Sequence, residues 1–321
     1  MDRNVWNTKS LSEALGVEIP LSLSTGKIEF NSKDIEEGDL FIALPGGARD
    51  SHEFVEDAFE RGAAAAIVSK KIEDPRAIFV YDTATALDRL ARFKRANSAA
   101  KFIGVTGSVG KTSTKEALGI VLSQFSPSFR SRSTFNNHIG VPLTVASVPE
   151  DTIYCVNEMG MNHAGEIRAL TDIVKPDVAI ITKIAEAHLE NLGSVENICK
   201  AKCEIFEGLN KAGFAIINKD SPYFPLQKLI IESLKIENTL IFSESSGSDC
   251  YVSNFETFEE YSLVEYNLFG KTYKTKNFYK TKHQAVNFAS LMLAIYALGL
   301  DLEMAAYFLQ NVIRYGGRGL T

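Results

Sequence analysis

Short apolar runs separated by polar, helix-length stretches recur along the chain. Early on, strand-length runs fall at 39–44, 64–68 and 77–80, with a helical spacing of apolar residues over 53–61 between them, which predicts a small α/β unit. From Lys101 the order becomes a repeated strand, loop and helix. A strand over 101–105 and a helix over 112–123 come first, then strands over 152–157, 178–183 and 214–218, most of them separated by helices. Such alternation predicts α/β architecture with a mostly parallel, doubly wound sheet covered on both faces. Past Ser221, the stretch 249–276 reads as antiparallel hairpins, 284–298 as an amphipathic to buried helix ended by Gly299, and 302–311 as a second helix. The last residues, Tyr315-Gly316-Gly317-Arg318-Gly319-Leu320-Thr321, read as a glycine-rich linker.

Composition narrows the class. With 45% hydrophobic and 23% charged residues the chain has the make-up of an ordinary folded protein, and 321 residues suit at least two domains. A net charge of -6 gives no reason to expect a nucleic-acid footprint, which needs clustered Lys and Arg. No apolar run follows Arg3, so the start does not read as a signal peptide, and the other apolar stretches fall short of the ~20 residues that span a bilayer. A cytoplasmic protein with no membrane span is expected. Cys155, Cys199, Cys203 and Cys250 are scattered; only Cys199 and Cys203 could share a helix face, and reduced thiols are expected rather than a metal site.

One segment reads as a phosphate loop, the alternative being a glycine turn with a surface lysine. Gly104-Val105-Thr106-Gly107-Ser108-Val109-Gly110-Lys111-Thr112 lies between an expected strand and an expected helix. There, glycines let backbone N–H groups turn toward an anion and the helix N-terminus adds a favourable dipole. Lys111 can reach the β- and γ-phosphates, and Thr112 can hold Mg2+. Because position 105 is Val, the match is to the shorter T-G-x-x-G-K-[ST].

Glu158 and His188 follow the strands at 152–157 and 178–183, at the carboxyl edge where open α/β sheets bind ligands. Either can serve Mg-ATP, although His188 is the less usual partner for a hard cation. Equally, Glu158 can be a helix-start charge and His188 a satisfied loop histidine. Lys200-Ala201-Lys202-Cys203-Glu204, on a helix expected over 195–207, reads by pattern as solvated charge, and nothing in the spacing singles out Lys202. His283 and Asn287 stand four apart on one helix face, where they can approach a ring ligand or face solvent.

Together these residues resemble a known family. Thr106-Gly107-Ser108-Val109-Gly110-Lys111-Thr112, Asn136-Asn137-His138-Ile139-Gly140-Val141-Pro142, Glu158-Met159-Gly160-Met161-Asn162-His163, Ala187-His188-Leu189-Glu190, Lys200-Ala201-Lys202-Cys203-Glu204-Ile205-Phe206 and His283-Gln284-Ala285-Val286-Asn287 occur in the order and approximate spacing of the Mur ligases. Gly38-Asp39-Leu40-Phe41-Ile42-Ala43-Leu44, with Asp50-Ser51-His52 after it, is similar to the D-alanyl-D-alanine-adding branch. The resemblance covers nearly the whole chain. It implies an ATP-dependent amide ligase of peptidoglycan synthesis. ATP would phosphorylate the terminal carboxylate of UDP-N-acetylmuramoyl-tripeptide, and the amine of D-alanyl-D-alanine would attack the acyl phosphate.

The resemblance also implies roles. A UDP-sugar-binding domain would occupy 1–98, a central ATP-binding domain 99–312, and a linker stub 313–321. Lys111, Glu158, His188 and Lys202 would be catalytic. Magnesium would be held by Thr112, Glu158, His188 and Lys202, the last as a carbamate formed from CO2, since an ammonium cannot ligate a cation. ATP would contact Thr106, Gly107, Ser108, Gly110, Lys111, Thr112 and Ser113, with His283 and Asn287 at the adenine and Arg318 reaching in from the linker. Ser32, Lys33 and Asn137 would contact the UDP-linked substrate.

Departures are few. Gln284 stands where the family usually has Asn, and Ser32-Lys33 where Thr or Ser followed by Arg is common. In the family, the position of Arg318 leads into a C-terminal Rossmann-like domain that recruits the amine. The sequence stops at Thr321, so this domain is expected to be absent here or supplied by a separate polypeptide. Two alternatives stand beside the main reading. One is a ligase adding diaminopimelate or lysine, or a folylpolyglutamate synthase; the N-terminal run argues against these. The other is an inactive nucleotide- or UDP-sugar-binding remnant.

Overall fold

In a computed structural model, residues 4–46, 50–132, 135–186 and 189–312 are described. The chain divides into two units, residues 1–99 with 138–152, and residues 100–137 with 153–321.

In the first unit, β1 (Trp6–Asn7) pairs antiparallel with β2 (Ser24–Thr25). Between them runs the helix Thr8–Leu15, capped by the Asn7 side chain. A parallel sheet follows in the order β3 (Ile28–Glu29), β4 (Leu40–Ile42), β5 (Ala65–Val68), β6 (Ala77–Phe79). Residues 53–61, read as one helix, form a 3-10 turn at Ser51–Phe54 and then the helix Val55–Glu60, whose Val55 and Ala58 pack on Phe41 and Ala66.

The stretch 138–152 belongs to this unit, although the sequence reading assigned it to the second. Its helix Gly140–Ala146 is buried at every position and packs on the helix Thr83–Asn97. Trp6 Nε1 donates to Ala146 O at 2.8 Å, and the Ile28 N–H donates to Ser147 Oγ at 3.0 Å. A run that is apolar but for Thr144 must be covered, but its pattern does not say by what.

The second unit holds β7 (Lys101–Thr106), β8 (Ser128–Arg130), β9 (Tyr154–Glu158), β10 (Val178–Ile181), β11 (Phe214–Asn218), β12 (Asn238–Ser243), β13 (Cys250–Thr257), β14 (Ser262–Leu268) and β15 (Lys271–Asn277). Among the described residues they form one sheet in the order β15-β14-β13-β12-β11-β10-β7-β9-β8. Pairing is parallel from β8 to β13, and two antiparallel hairpins then extend the same sheet. The central strands are covered on both faces, so β10 is buried at all four positions and reads as a continuous apolar run.

The helix Lys111–Ser123 follows β7, and the helix Lys282–Ala297 packs on it and on β11, β12 and β13. Every residue from Gln284 to Ile295 in that second helix is buried. The sequence at 195–207 forms an α-helix only over Val195–Cys203, then a 3-10 turn over Glu204–Gly208. No helix among the described residues is long and apolar enough to cross a membrane.

Candidate active site

Strand register brings the site together. β9 pairs with β7 so that Val105 lies opposite Glu158, and β10 pairs with β7 so that Ile181 lies opposite Thr106. The carboxyl ends of three adjacent parallel strands therefore meet at the turn into the helix Lys111–Ser123, the place where such sheets bind ligands.

That turn is braced from two sides. Thr106 Oγ1 donates to Met159 O at 2.8 Å. The Ser108 N–H donates to Lys183 O at 2.6 Å, its hydroxyl donates to Ala185 O at 2.9 Å, and Thr182 Oγ1 donates to Val109 O at 2.7 Å. Two glycines are required here. Gly107 has φ 150° and Gly110 φ 90°; a Cβ on the first would fall on the Thr182 hydroxyl, and on the second on the Asn287 amide. Lys111 Nζ donates to Gly107 O at 2.8 Å, so the ammonium lies over the loop, and Ser113 Oγ closes the first helical turn on Gly110 O at 3.1 Å.

Glu158 is the last residue of β9 rather than a residue beyond it, and it is 2% exposed. Its Oε2 accepts from Thr112 Oγ1 and its Oε1 from Asn136 Nδ2, both at 2.9 Å, while its N–H donates to Ser131 Oγ at 3.1 Å. A hydroxyl and a carboxylate beside a phosphate loop are hard oxygen donors of the kind Mg2+ takes together with phosphate oxygens. The donor set fits that ion.

Lys202 corrects the reading from pattern. It is 2% exposed, on the buried face of its helix with Ile198 and Cys199. Burial, then the nearby charge of Lys111, push its pKa down to about 7. Lys111 is likewise held below the ordinary lysine value by burial, against the opposing pull of Glu158. Two desolvated amines that repel each other make a site that an added anion relieves. Glu204 fixes the end of the Lys202 helix: its carboxylate accepts from the Gly165 and Arg168 N–H groups at 2.7 and 3.0 Å, capping the helix Glu166–Val174.

The remaining expected residues divide. Asn287 is 5% exposed and lies against Gly110, whereas His283, one turn earlier, is exposed. Gln284 is buried and accepts from Thr281 Oγ1 at 2.6 Å. Asn137 is exposed in the second unit. In the first unit, Lys33 is exposed and Ser32 is buried, with its hydroxyl on the Asp57 carboxylate. His188 and Arg318 lie outside the described residues. Sequence reasoning missed Asn136, Ser131 and Thr182 as site residues. Asn136 alone had a signal, its place beside Asn137 in a recognised motif.

The Mur ligase middle domain matches residues 105–297, the segment from the phosphate loop through the buried helix beside it. The chain belongs to the Mur ligase family. A relative from Rickettsia prowazekii, named UDP-N-acetylmuramoyl-tripeptide--D-alanyl-D-alanine ligase, is 43% identical over 318 residues, covering 98% of this chain and 71% of the relative. MurF from Acinetobacter baumannii has a similar structure, with TM-score 0.83 and 30% identity over 98% of this chain and 69% of that one. MurF from Thermotoga maritima, solved in complex with ADP, aligns with TM-score 0.74 and 31% identity over 87% of this chain and 65% of that one. As a Mur ligase the chain has the α/β fold of these proteins, its large sheet mostly parallel.

Proposed function

We propose that the chain binds Mg-ATP at the phosphate loop of its second unit and uses it to activate a carboxylate as an acyl phosphate. The overall reaction would be the ligation of D-alanyl-D-alanine to UDP-N-acetylmuramoyl-tripeptide for which the Rickettsia relative is named. The observation that carries this reading is the Thr112–Glu158 hydrogen bond beside Lys111, on the shared carboxyl edge of β7 and β9.

In this reading, N–H groups of the loop from Gly107 to Gly110 cradle the phosphates and Lys111 balances charge on the transferred phosphoryl group. A substrate carboxylate oxygen attacks the γ-phosphorus and ADP leaves. The D-alanyl-D-alanine amine then attacks the acyl carbon, inorganic phosphate leaves, and the amine proton passes to a base or water. Thr112, Glu158, His188 and a carbamylated Lys202 would hold Mg2+, which when bound screens charge on the phosphate oxygens. His283, Asn287 and Arg318 are assigned to the nucleotide, with Ser32, Lys33 and Asn137 assigned to the UDP-linked substrate. We assign the reaction to the cytoplasm, the reducing compartment that suits four buried free cysteines.

The test is phosphate release and pentapeptide formation measured together on the 321-residue chain. We expect phosphate release that depends on the UDP-linked tripeptide; wherever the amine is not held in line, water takes the acyl phosphate and little pentapeptide forms. Lost positioning can forgo ~7 to 11 kcal/mol of barrier lowering. Pentapeptide at an ordinary enzymatic rate, roughly 1 to 1000 per second, would mean that these 321 residues suffice. Phosphate release indifferent to the tripeptide would contradict the reading.

A further inference from the structure

Lys115 lies on the helix Lys111–Ser123, one turn beyond Lys111 and Thr112, and is fully enclosed, with 0% exposure. Its ammonium donates to Ser131 O at 2.8 Å and pairs with Glu116 Oε1 at 2.7 Å. The other Glu116 oxygen accepts from Arg130 Nε at 2.8 Å. Ser131 in turn is tied to β9 twice: its N–H donates to Val156 O at 3.0 Å, and its hydroxyl accepts from the Glu158 N–H. From Lys115 to the Glu158 backbone there are thus two links, both through Ser131. A few residues on, Asn136 holds the Glu158 carboxylate and accepts from the Gly160 N–H at 2.7 Å.

A buried ammonium is a poor device for stability. Apolar side chains of similar volume often replace buried ions without loss, and in some proteins a buried ionic group instead selects one geometry over others. Here that geometry is local to Glu158. The contacts of Lys115 run from the phosphate-loop helix to Ser131, which supports the Glu158 backbone, a few residues before Asn136, which supports its carboxylate.

We propose that Lys115 is a positioning residue for the cation half of the site. It fastens the Ser131 segment to the phosphate-loop helix and so holds the Glu158 carboxylate at the Thr112 hydroxyl. This rests on the nucleotide-site reading above.

The variants are Lys115→Met, which keeps volume and removes the charge, and Ser131→Ala, which removes only the hydroxyl. Each is measured in the 321-residue chain by calorimetry of a non-hydrolysable ATP analogue in EDTA, and by Mn2+ titration followed by electron paramagnetic resonance with the analogue present. Losing either the Lys115–Ser131 bond or the Ser131–Glu158 bond should loosen the Glu158 carboxylate and weaken Mn2+ binding about tenfold or more, with metal-free analogue affinity within about twofold of the parent. Mn2+ binding close to the parent's in both folded variants overturns the proposal. So does an equal loss of both affinities, which would make Lys115 a general prop of the helix. If Lys115→Met does not fold, Ser131→Ala decides on the same criteria. If the parent chain binds neither the analogue nor Mn2+ in its presence, the nucleotide-site reading fails and the proposal falls with it.

Discussion

The Thr112 hydroxyl donates to Glu158 Oε2 at 2.9 Å, joining the first turn of the phosphate-loop helix to the end of a strand 46 residues away. This contact places an alcohol and a carboxylate within reach of whatever the loop holds. Both are oxygen donors, and the carboxylate is further oriented by Asn136.

Glu158→Gln keeps the shape of this pair and removes its charge. Affinity for the Mg2+ complex of a non-hydrolysable ATP analogue should fall about tenfold or more, while affinity for the metal-free analogue changes little, since the lost contribution is a charge-assisted interaction with the cation. Paired calorimetric titrations with Mg2+ and with EDTA check this. Equal affinities with and without the cation in the parent chain would remove Glu158 from the metal site.

Gly110→Ala should destabilise the second unit. The backbone there has φ 90°, and the new methyl group would meet the Asn287 amide. Strain of this kind costs ~1 to 3 kcal/mol, to be read from urea unfolding. Adding Asn287→Ala relieves the clash but not the dihedral, so the double variant should lose less than the sum of the two singles. Strict additivity would show that the contact is not felt.

Much of this architecture could be read from the chain, and the failures have physical causes. The strand Phe214–Asn218 was expected at its observed bounds, because a short apolar run flanked by polar turns has few other solutions. The phosphate loop is equally local, since its glycines, lysine and threonine lie within a few residues of one another. Lys202 was misread because a charged side chain was weighed by its type and not by its position; Val195, Ile198, Cys199 and Lys202 recur at helical spacing, and that spacing puts the lysine on the covered face. The helix Thr83–Asn97 was passed over despite Ala86, Leu87, Leu90 and Ala91 at the same spacing. Ser131 and Asn136 could not have been found this way, because their links to Glu158 depend on sheet register and not on neighbours in sequence.

Lys202 should take up CO2 in a pH-dependent way. Its neutral amine attacks CO2 to form a carbamate and releases one proton, so uptake needs the deprotonated form. With a pKa of about 7, that form grows as pH rises through 7 and vanishes below it. Carbon-13 NMR with labelled bicarbonate, in the presence of Mg2+ and nucleotide, should show a carbamate signal that follows this profile and is absent in Lys202→Ala. In any form of the enzyme that turns over, Lys202→Ala should be inactive and partly restored by short carboxylic acids. Full activity without rescue would make Lys202 only a buried helix residue.

Nucleotide binding by the phosphate loop is the claim on which the rest depends, and Lys111 is its most direct probe. Lys111 Nζ already lies on the Gly107 carbonyl, inside a turn braced by Ser108 and Thr182. The decisive measurement is calorimetric titration of the 321-residue chain and its Lys111→Ala variant with a non-hydrolysable ATP analogue and Mg2+. The account predicts one site in the parent chain and an affinity about 100-fold weaker or undetectable in the variant, because a charge-assisted contact to phosphate is lost from a desolvated site. Equal affinity in the two proteins would contradict it.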